Sequence, residues 1–179
     1  MTVIDALVDR DNQGIPIYGE TPFKVSMSHT FVGSNATVVV PIFTLTGSVM
    51  LTRLWGVVTT ALGSNHTAAA WRLNDQTSQV YLTAVGGTTL SSIAAGSVIV
   101  KDKLVAVALT KLDNAAGVVS ETATAGIPVF SPVLLVKKTA ATTQIEYRYT
   151  TSQTPTTGVI KFFASYYPIS DDGLLQSAA

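Results

Sequence analysis

Gln144-Ile145-Glu146-Tyr147-Arg148-Tyr149-Thr150, followed after a short polar break by Val159-Ile160-Lys161-Phe162-Phe163-Ala164-Ser165-Tyr166-Tyr167, decides the fold class of this chain. In the first run Ile145, Tyr147 and Tyr149 alternate with Gln144, Glu146 and Arg148. In the second, Ile160, Phe162, Ala164 and Tyr166 fall on one side. A period of two marks a strand with one buried face, because successive side chains of an extended chain point to opposite sides. The segment Thr151 to Thr157, with Pro155 and then Gly158, reads as a hairpin turn, which makes the two runs partner strands.

The same period extends upstream. Phe23, Val25, Met27, His29 and Phe31 share a face opposite Lys24, Ser26, Ser28 and Thr30. Gly33-Ser34-Asn35 turns the chain into Thr37 to Thr44, an apolar run suited to burial on both sides. Pro41 lacks an N–H there and predicts an edge position or a bulge. Ser48 to Thr60 is a long strand with Gly56 as its expected bend. Thr67 to Leu73 points Ala69, Trp71 and Leu73 inward, and Gln79 to Ala84 is expected to do the same with Val80 and Leu82. Leu90 to Ala95 reads as a short helical turn, Ile99-Val100 and Leu104 to Lys111 as strand, Asp113 to Gly126 as a loop, and Val133 to Lys138 as strand. About eight or nine short strands without a helix of more than two turns predict an all-β, antiparallel β-sandwich of jelly-roll-like type. Residues 1–22, punctuated by Gly14, Pro16, Gly19 and Pro22, form an extended N-terminal arm, and residues 23–179 form a single sandwich domain.

Composition narrows the function. The 179 residues include no cysteine, which excludes a disulfide framework, thiolate metal sites and a cysteine nucleophile. Eleven basic and eleven acidic side chains make only 12% of the chain, and their zero net charge provides no global field for nucleic acid or anionic membrane. The uncharged stretch from Thr30 to Thr52 is broken by Gly33, Pro41 and Gly47 and is rich in β-branched residues, so it reads as strand and not as a spanning helix. Asp5, Asp9, Arg10 and Asp11 stand where a secretory signal needs a basic start and an apolar run.

Candidate chemistry is thin. His29 lies on an apolar strand face and reads as a core or interface residue; His66, after Gly63-Ser64-Asn65, reads as a solvated loop residue. Ser64 beside it lacks a G-x-S-x-G elbow, and no spacing draws both histidines and Asp75 into a metal site. Asp9, Asp11, Gln13, Gly14 and Glu20 match positions 1, 3, 5, 6 and 12 of a calcium loop. Gln13 is a poor fifth ligand, however, and Pro16 interrupts the loop, so the segment reads as a polar turn. Gly86-Gly87-Thr88-Thr89 lacks the P-loop lysine. Lys101, Lys103, Lys111, Lys137 and Lys138 read as a solvated strand face, and Asp171-Asp172 as a terminal turn. Trp55, Trp71, Tyr81, Tyr147, Tyr149, Tyr166 and Tyr167 offer either core packing or a sugar-stacking platform. No catalytic, cofactor or metal constellation is expected.

Gly158 to Gly173 (Gly-Val-Ile-Lys-Phe-Phe-Ala-Ser-Tyr-Tyr-Pro-Ile-Ser-Asp-Asp-Gly) resembles the C-terminal strand of small structural proteins of tailed-phage virions. Gly56 to Asp75, with Thr59-Thr60-Ala61-Leu62-Gly63 and Trp71-Arg72-Leu73-Asn74-Asp75, is similar in character. The resemblance implies a sandwich or jelly-roll protein on a capsid surface, a decoration or cement protein seated on the major capsid protein. The long uncharged strands need covering against edge-to-edge aggregation and favour a homo-oligomer, a trimer above other states. A lectin-like module recognising glycan is the alternative, as is another phage part such as a head–tail or fibre-base protein.

Overall fold

The computed structural model describes residues 22–31, 36–63, 66–85, 90–101, 110–112, 114–115, 118–119, 132–138, 141–151 and 157–178. Its regular elements are all strands: β1 (Phe23–Thr30), β2 (Thr37–Thr46), β3 (Ser48–Thr60), β4 (His66–Asn74), β5 (Gln79–Tyr81), β6 (Val98–Val100), β7 (Thr110–Leu112), β8 (Asn114–Ala115), β9 (Val118–Val119), β10 (Val133–Val136), β11 (Thr143–Thr151), β12 (Val159–Pro168) and β13 (Leu174–Ser177). One antiparallel sheet, sheet I, runs β1-β12-β3-β6-β7, with β10 also paired to β3; the other, sheet II, runs β13-β2-β11-β4-β5. The two pack face to face as a β-sandwich. The calcium-like segment, Ser64, Gly86-Gly87 and Lys103 lie outside the described residues, as does the arm apart from Pro22.

The two runs that decide the fold are not partners. β11 is central in sheet II, between β2 and β4, whereas β12 is interior in sheet I, between edge strand β1 and β3. Each run carries a full apolar face, and side-by-side pairing would leave both faces still in need of cover. Crossing between the layers lets each cover the other: Tyr147 meets Phe162 at 4.9 Å between ring centroids. Ile145, Tyr147, Tyr149, Ile160, Phe162, Ala164 and Tyr166 are all buried in the common core.

Other departures have equally local causes. The bulge that Pro41 predicts is present, though in an interior strand and not at an edge: Phe43 pairs with Ile145 and Pro41 with Glu146, leaving Ile42 as the extra residue. The end of β2 beyond that bulge, Leu45, is paired on both sides, with Thr143 and Leu175. The stretch expected to turn helically at Leu90 to Ala95 is a non-helical turn with Ser92 at φ 57°. Strand β5 stops at Tyr81, and Val80, although it pairs with Leu73 on the core-facing side, is 55% exposed because β5 is the edge strand of sheet II. Part of the expected 113–126 loop pairs as the β8–β9 ladder.

Gly56 is not a bend. It pairs without interruption with Phe162 on one side and Ile99 on the other. Its missing side chain makes room for its neighbours: a Cβ there would stand 2.8 Å from Ile160 Cγ2, 3.1 Å from Ile99 Cγ1 and 3.2 Å from Phe162 Cδ1. The real register shifts of this ladder fall at Val159/Ile160 and Ser165/Tyr166. Gly56→Ala is therefore expected to overpack the core and lower stability by about 1–3 kcal/mol, read as a lower urea midpoint at unchanged slope; an unchanged midpoint contradicts this account.

Candidate functional site

The chain's two histidines converge on one phenylalanine. His29 ends the inward row of β1 and meets Phe31 edge-on at 4.9 Å, and Phe31 meets His66 edge-on, also at 4.9 Å. His66 is not a solvated loop residue. It opens β4, where its pairing with Thr151 at the end of β11 draws it inside, and it is fully buried. Tyr149 stacks on its ring at 4.6 Å with 6° between planes, and Nε2 lies 3.0 Å from the Tyr147 hydroxyl. Among the described residues Nδ1 has no partner.

This environment favours the neutral imidazole. Burial, reinforced by the nearby charge of His29 when protonated, lowers the His66 pKa from 6.5 to about 4. Burial also lowers that of His29 and raises those of Tyr147, Tyr149 and Tyr166. A base needs a reachable proton and a nucleophile needs a partner at its surface. Here the histidine and the tyrosine bond each other inside the sandwich, so the cluster works as packing.

The remaining candidates are dispersed. Asp75 is remote from both histidines in the bonding pattern. Its carboxylate caps the 75–78 turn by accepting from the Thr77 N–H and the Ser78 N–H, and accepts from Lys138 Nζ at 2.6 Å. That bond to Lys138 and the backbone donors hold its pKa down at about 2. Among the described residues no three of His, Cys, Asp and Glu gather as a metal would require. Lys101 is buried, contrary to its reading as part of a solvated face; it continues β6 beside β3 and donates its N–H to the Leu54 carbonyl. Of the seven aromatics proposed for sugar stacking, Trp71, Tyr147, Tyr149 and Tyr166 are core. The half-buried Trp55 stacks on Phe163 at 5.1 Å, which occupies one face of each ring.

Two features went unread in the sequence. Arg72 Nε donates to Glu146 Oε2 at 2.6 Å, and its Nη1 donates to Gln79 Oε1 at 2.6 Å. Asn74 completes the network by donating to Glu146 Oε1 at 2.9 Å. The ladder register places these side chains together on the outer side of sheet II, and no local pattern announces a pair 74 residues apart.

The second feature is an apolar end at Gly47. Gly47 turns β2 into β3 at φ 57°, with a Cβ position that the Asp172 carboxylate and Ser170 hydroxyl would block. The Gly47 carbonyl accepts from Lys137 N–H and the Ser48 carbonyl from Ile169 N–H, while Leu174 pairs with Thr46. β10 runs alongside, pairing Val136 with Ser48 and Leu134 with Met50. Leu134 and Val136 are each 52% exposed, Ile169 57% and Leu174 37%, and these four make up most of the large exposed apolar side chains among the described residues. The uniform run Val133-Leu134-Leu135-Val136 hid this, since it does not reveal which side is inward.

The histidine cluster generates a pH dependence. Because the folded-state pKa of His66 lies below its unfolded value, stability is complete above about pH 6.5 and falls as pH drops to about 4, where both states bind the proton. At about 1.4 kcal/mol per pH unit, that gap amounts to roughly 3 kcal/mol. His66→Phe is expected to flatten this limb of a stability–pH curve measured by urea denaturation; an equally steep limb in the variant would assign it to other groups.

No family model, curated protein or solved structure matches the chain, so the fold and the surfaces described above carry the functional reading.

Proposed function

We propose that this chain is a non-enzymatic structural protein of a virion that binds and stabilises the assembled capsid surface. It acts as a decoration or cement protein through oligomeric β-sheet surfaces and its N-terminal arm. The observation that carries this reading is the apolar end around Gly47, where Leu134, Val136, Ile169 and Leu174 are held outward on interlocked strands. Exposed apolar side chains on a rigid frame favour a contact, because leaving them in water carries a free-energy penalty that a partner removes; Leu134 and Val136 stand side by side on the outer side of β10. The burial of His66, Tyr147, Tyr149 and Tyr166 supports the same reading, since these groups, suited to proton transfer, are spent on packing.

Cementing follows from mass action. A protein that binds the closed shell but not its separated subunits stabilises the shell by RT ln(1 + [L]/Kd) per site. The major capsid protein is the proposed partner, and a homotrimer the proposed form. Three copies around a symmetry axis multiply the apolar contacts, and binding at one site raises the effective concentration at the next. The glycan reading is weaker because most of the aromatic side chains it needs are core.

Leu134→Lys and Val136→Lys together are expected to reduce co-sedimentation with purified particles about tenfold or more, with a melting temperature near that of the parent because both side chains already face water. Deleting residues 1–20 is expected to weaken attachment while leaving the melt unchanged. Undiminished attachment in the lysine double variant removes the apolar end from the interface.

A further inference from the structure

The outer face of sheet I carries an unpaired positive field around an aromatic pair. Its rows follow from the register. One crosses Ser26, Phe163, Trp55 and Val100; the next crosses Ser28, Lys161, Val57 and Val98; the row on the other side crosses Lys24, Ser165 and Arg53. Trp55 and Phe163 are half-buried and stacked with 10° between planes, and the Lys161 ammonium sits 5.4 Å from the Phe163 centroid. Lys24 and Arg53 are exposed. Among the described residues no carboxylate pairs with Lys24, Arg53 or Lys161. The outer side of sheet II differs, for there Arg72 is matched by Glu146.

The chain itself contains a segment of opposite charge. Residues 1–21 hold Asp5, Asp9, Asp11 and Glu20 against Arg10 alone, interleaved with Val3, Ile4, Leu7, Val8, Ile15, Ile17 and Tyr18. That mixture of carboxylates and apolar side chains complements a face of cations around stacked rings. Extended, such a segment reaches about 70 Å at 3.3–3.6 Å per residue, enough to cross a neighbouring molecule. It precedes edge strand β1 at Pro22.

We propose that the outer face of sheet I, centred on Trp55, Phe163, Lys161, Arg53 and Lys24, receives the acidic N-terminal segment of a second copy of this chain, so that exchanged arms hold the oligomer together. This rests on the structural reading above and deepens it by assigning the arm a receptor. The carboxylates pair with the cations at the margin, and the apolar side chains cover the ring edges. Pairing strengthens as the apolar contact excludes water, and salt weakens it.

The test uses full-length protein, half of it uniformly labelled with nitrogen-15, treated with a zero-length carbodiimide and analysed by mass spectrometry. Lys24 and Lys161 are expected to join Asp5, Asp9 or Asp11 in peptides that mix the two isotopes. In sedimentation velocity, Arg53→Glu with Lys161→Glu should weaken self-association about tenfold or more. Asp9→Lys with Asp11→Lys, which leaves the sandwich untouched, should do the same, and combining the four changes should restore association. Cross-links confined to one isotope, no cross-links to these lysines, or association unaffected by either charge reversal overturns the proposal. Particle co-sedimentation of the same variants reads the capsid role separately: arms that do not exchange on a protein that still decorates shells defeat only this inference.

Discussion

Tyr147 against Phe162, 4.9 Å apart across the interior, is the contact on which the remaining geometry hangs. It joins the middle strand of sheet II to an interior strand of sheet I, and rings of this size set a layer spacing that smaller side chains then fill. Phe31 extends the same layer toward His66 and Tyr149. Gly56 is the counterweight: with Phe162 and Ile160 occupying the space over β3, the residue beneath them has to lack a side chain. Alternating large and absent side chains are what let a core of this kind reach crystal-like density.

That core binds several of its polar atoms to each other. His66 and Tyr147 share one hydrogen bond, and the Trp71 backbone N–H is met by Thr83 Oγ1 at 2.9 Å. Among the described residues the Trp71 indole nitrogen and His66 Nδ1 have no such partner, and each unmatched group subtracts from the stability that burial provides. Charge is handled differently. Arg72 and Glu146 sit nearly buried on the outer side of sheet II, and their short hydrogen-bond network with Asn74 and Gln79 offsets the desolvation that a lone charge would suffer.

Much of the architecture was legible because period-two alternation is a local property. The inward rows Phe23-Val25-Met27-His29-Phe31, Ile145-Tyr147-Tyr149 and Ile160-Phe162-Ala164-Tyr166 read directly from the residues and are the rows the structure packs inward. Partnering is not local. Nothing in Thr151 to Gly158 distinguishes a hairpin from a crossing between layers, and the choice is made by what else the two apolar faces can cover. His66 was misread for the same reason: its neighbours Gly63, Ser64 and Asn65 spell a turn, while its burial depends on Thr151 and Phe31, far away in sequence. The apolar end at Gly47 was illegible because it is assembled from β10, the end of β12 and β13, each too short or too uniform to show a face.

The scarcity of charge gains a more specific meaning from this distribution. Few ionisable groups do not by themselves make a surface sticky; their placement does. On sheet II and at its margin Arg72 is paired with Glu146 and Lys138 with Asp75, while Arg148 donates to the Ala68 carbonyl. On sheet I, Lys24, Arg53 and Lys161 face outward around Trp55 and Phe163, and the Gly47 end presents aliphatic side chains. A self-neutralised surface gains little from a charged partner, because each existing pair would have to be broken and resolvated first. An unmatched cationic face gains the full interaction, and beside an apolar patch it gains it in a lower dielectric. On the proposed reading, contact therefore falls on sheet I and the Gly47 end, and the Arg72–Glu146 network of sheet II, already nearly buried and with its attraction spent, takes no part in it.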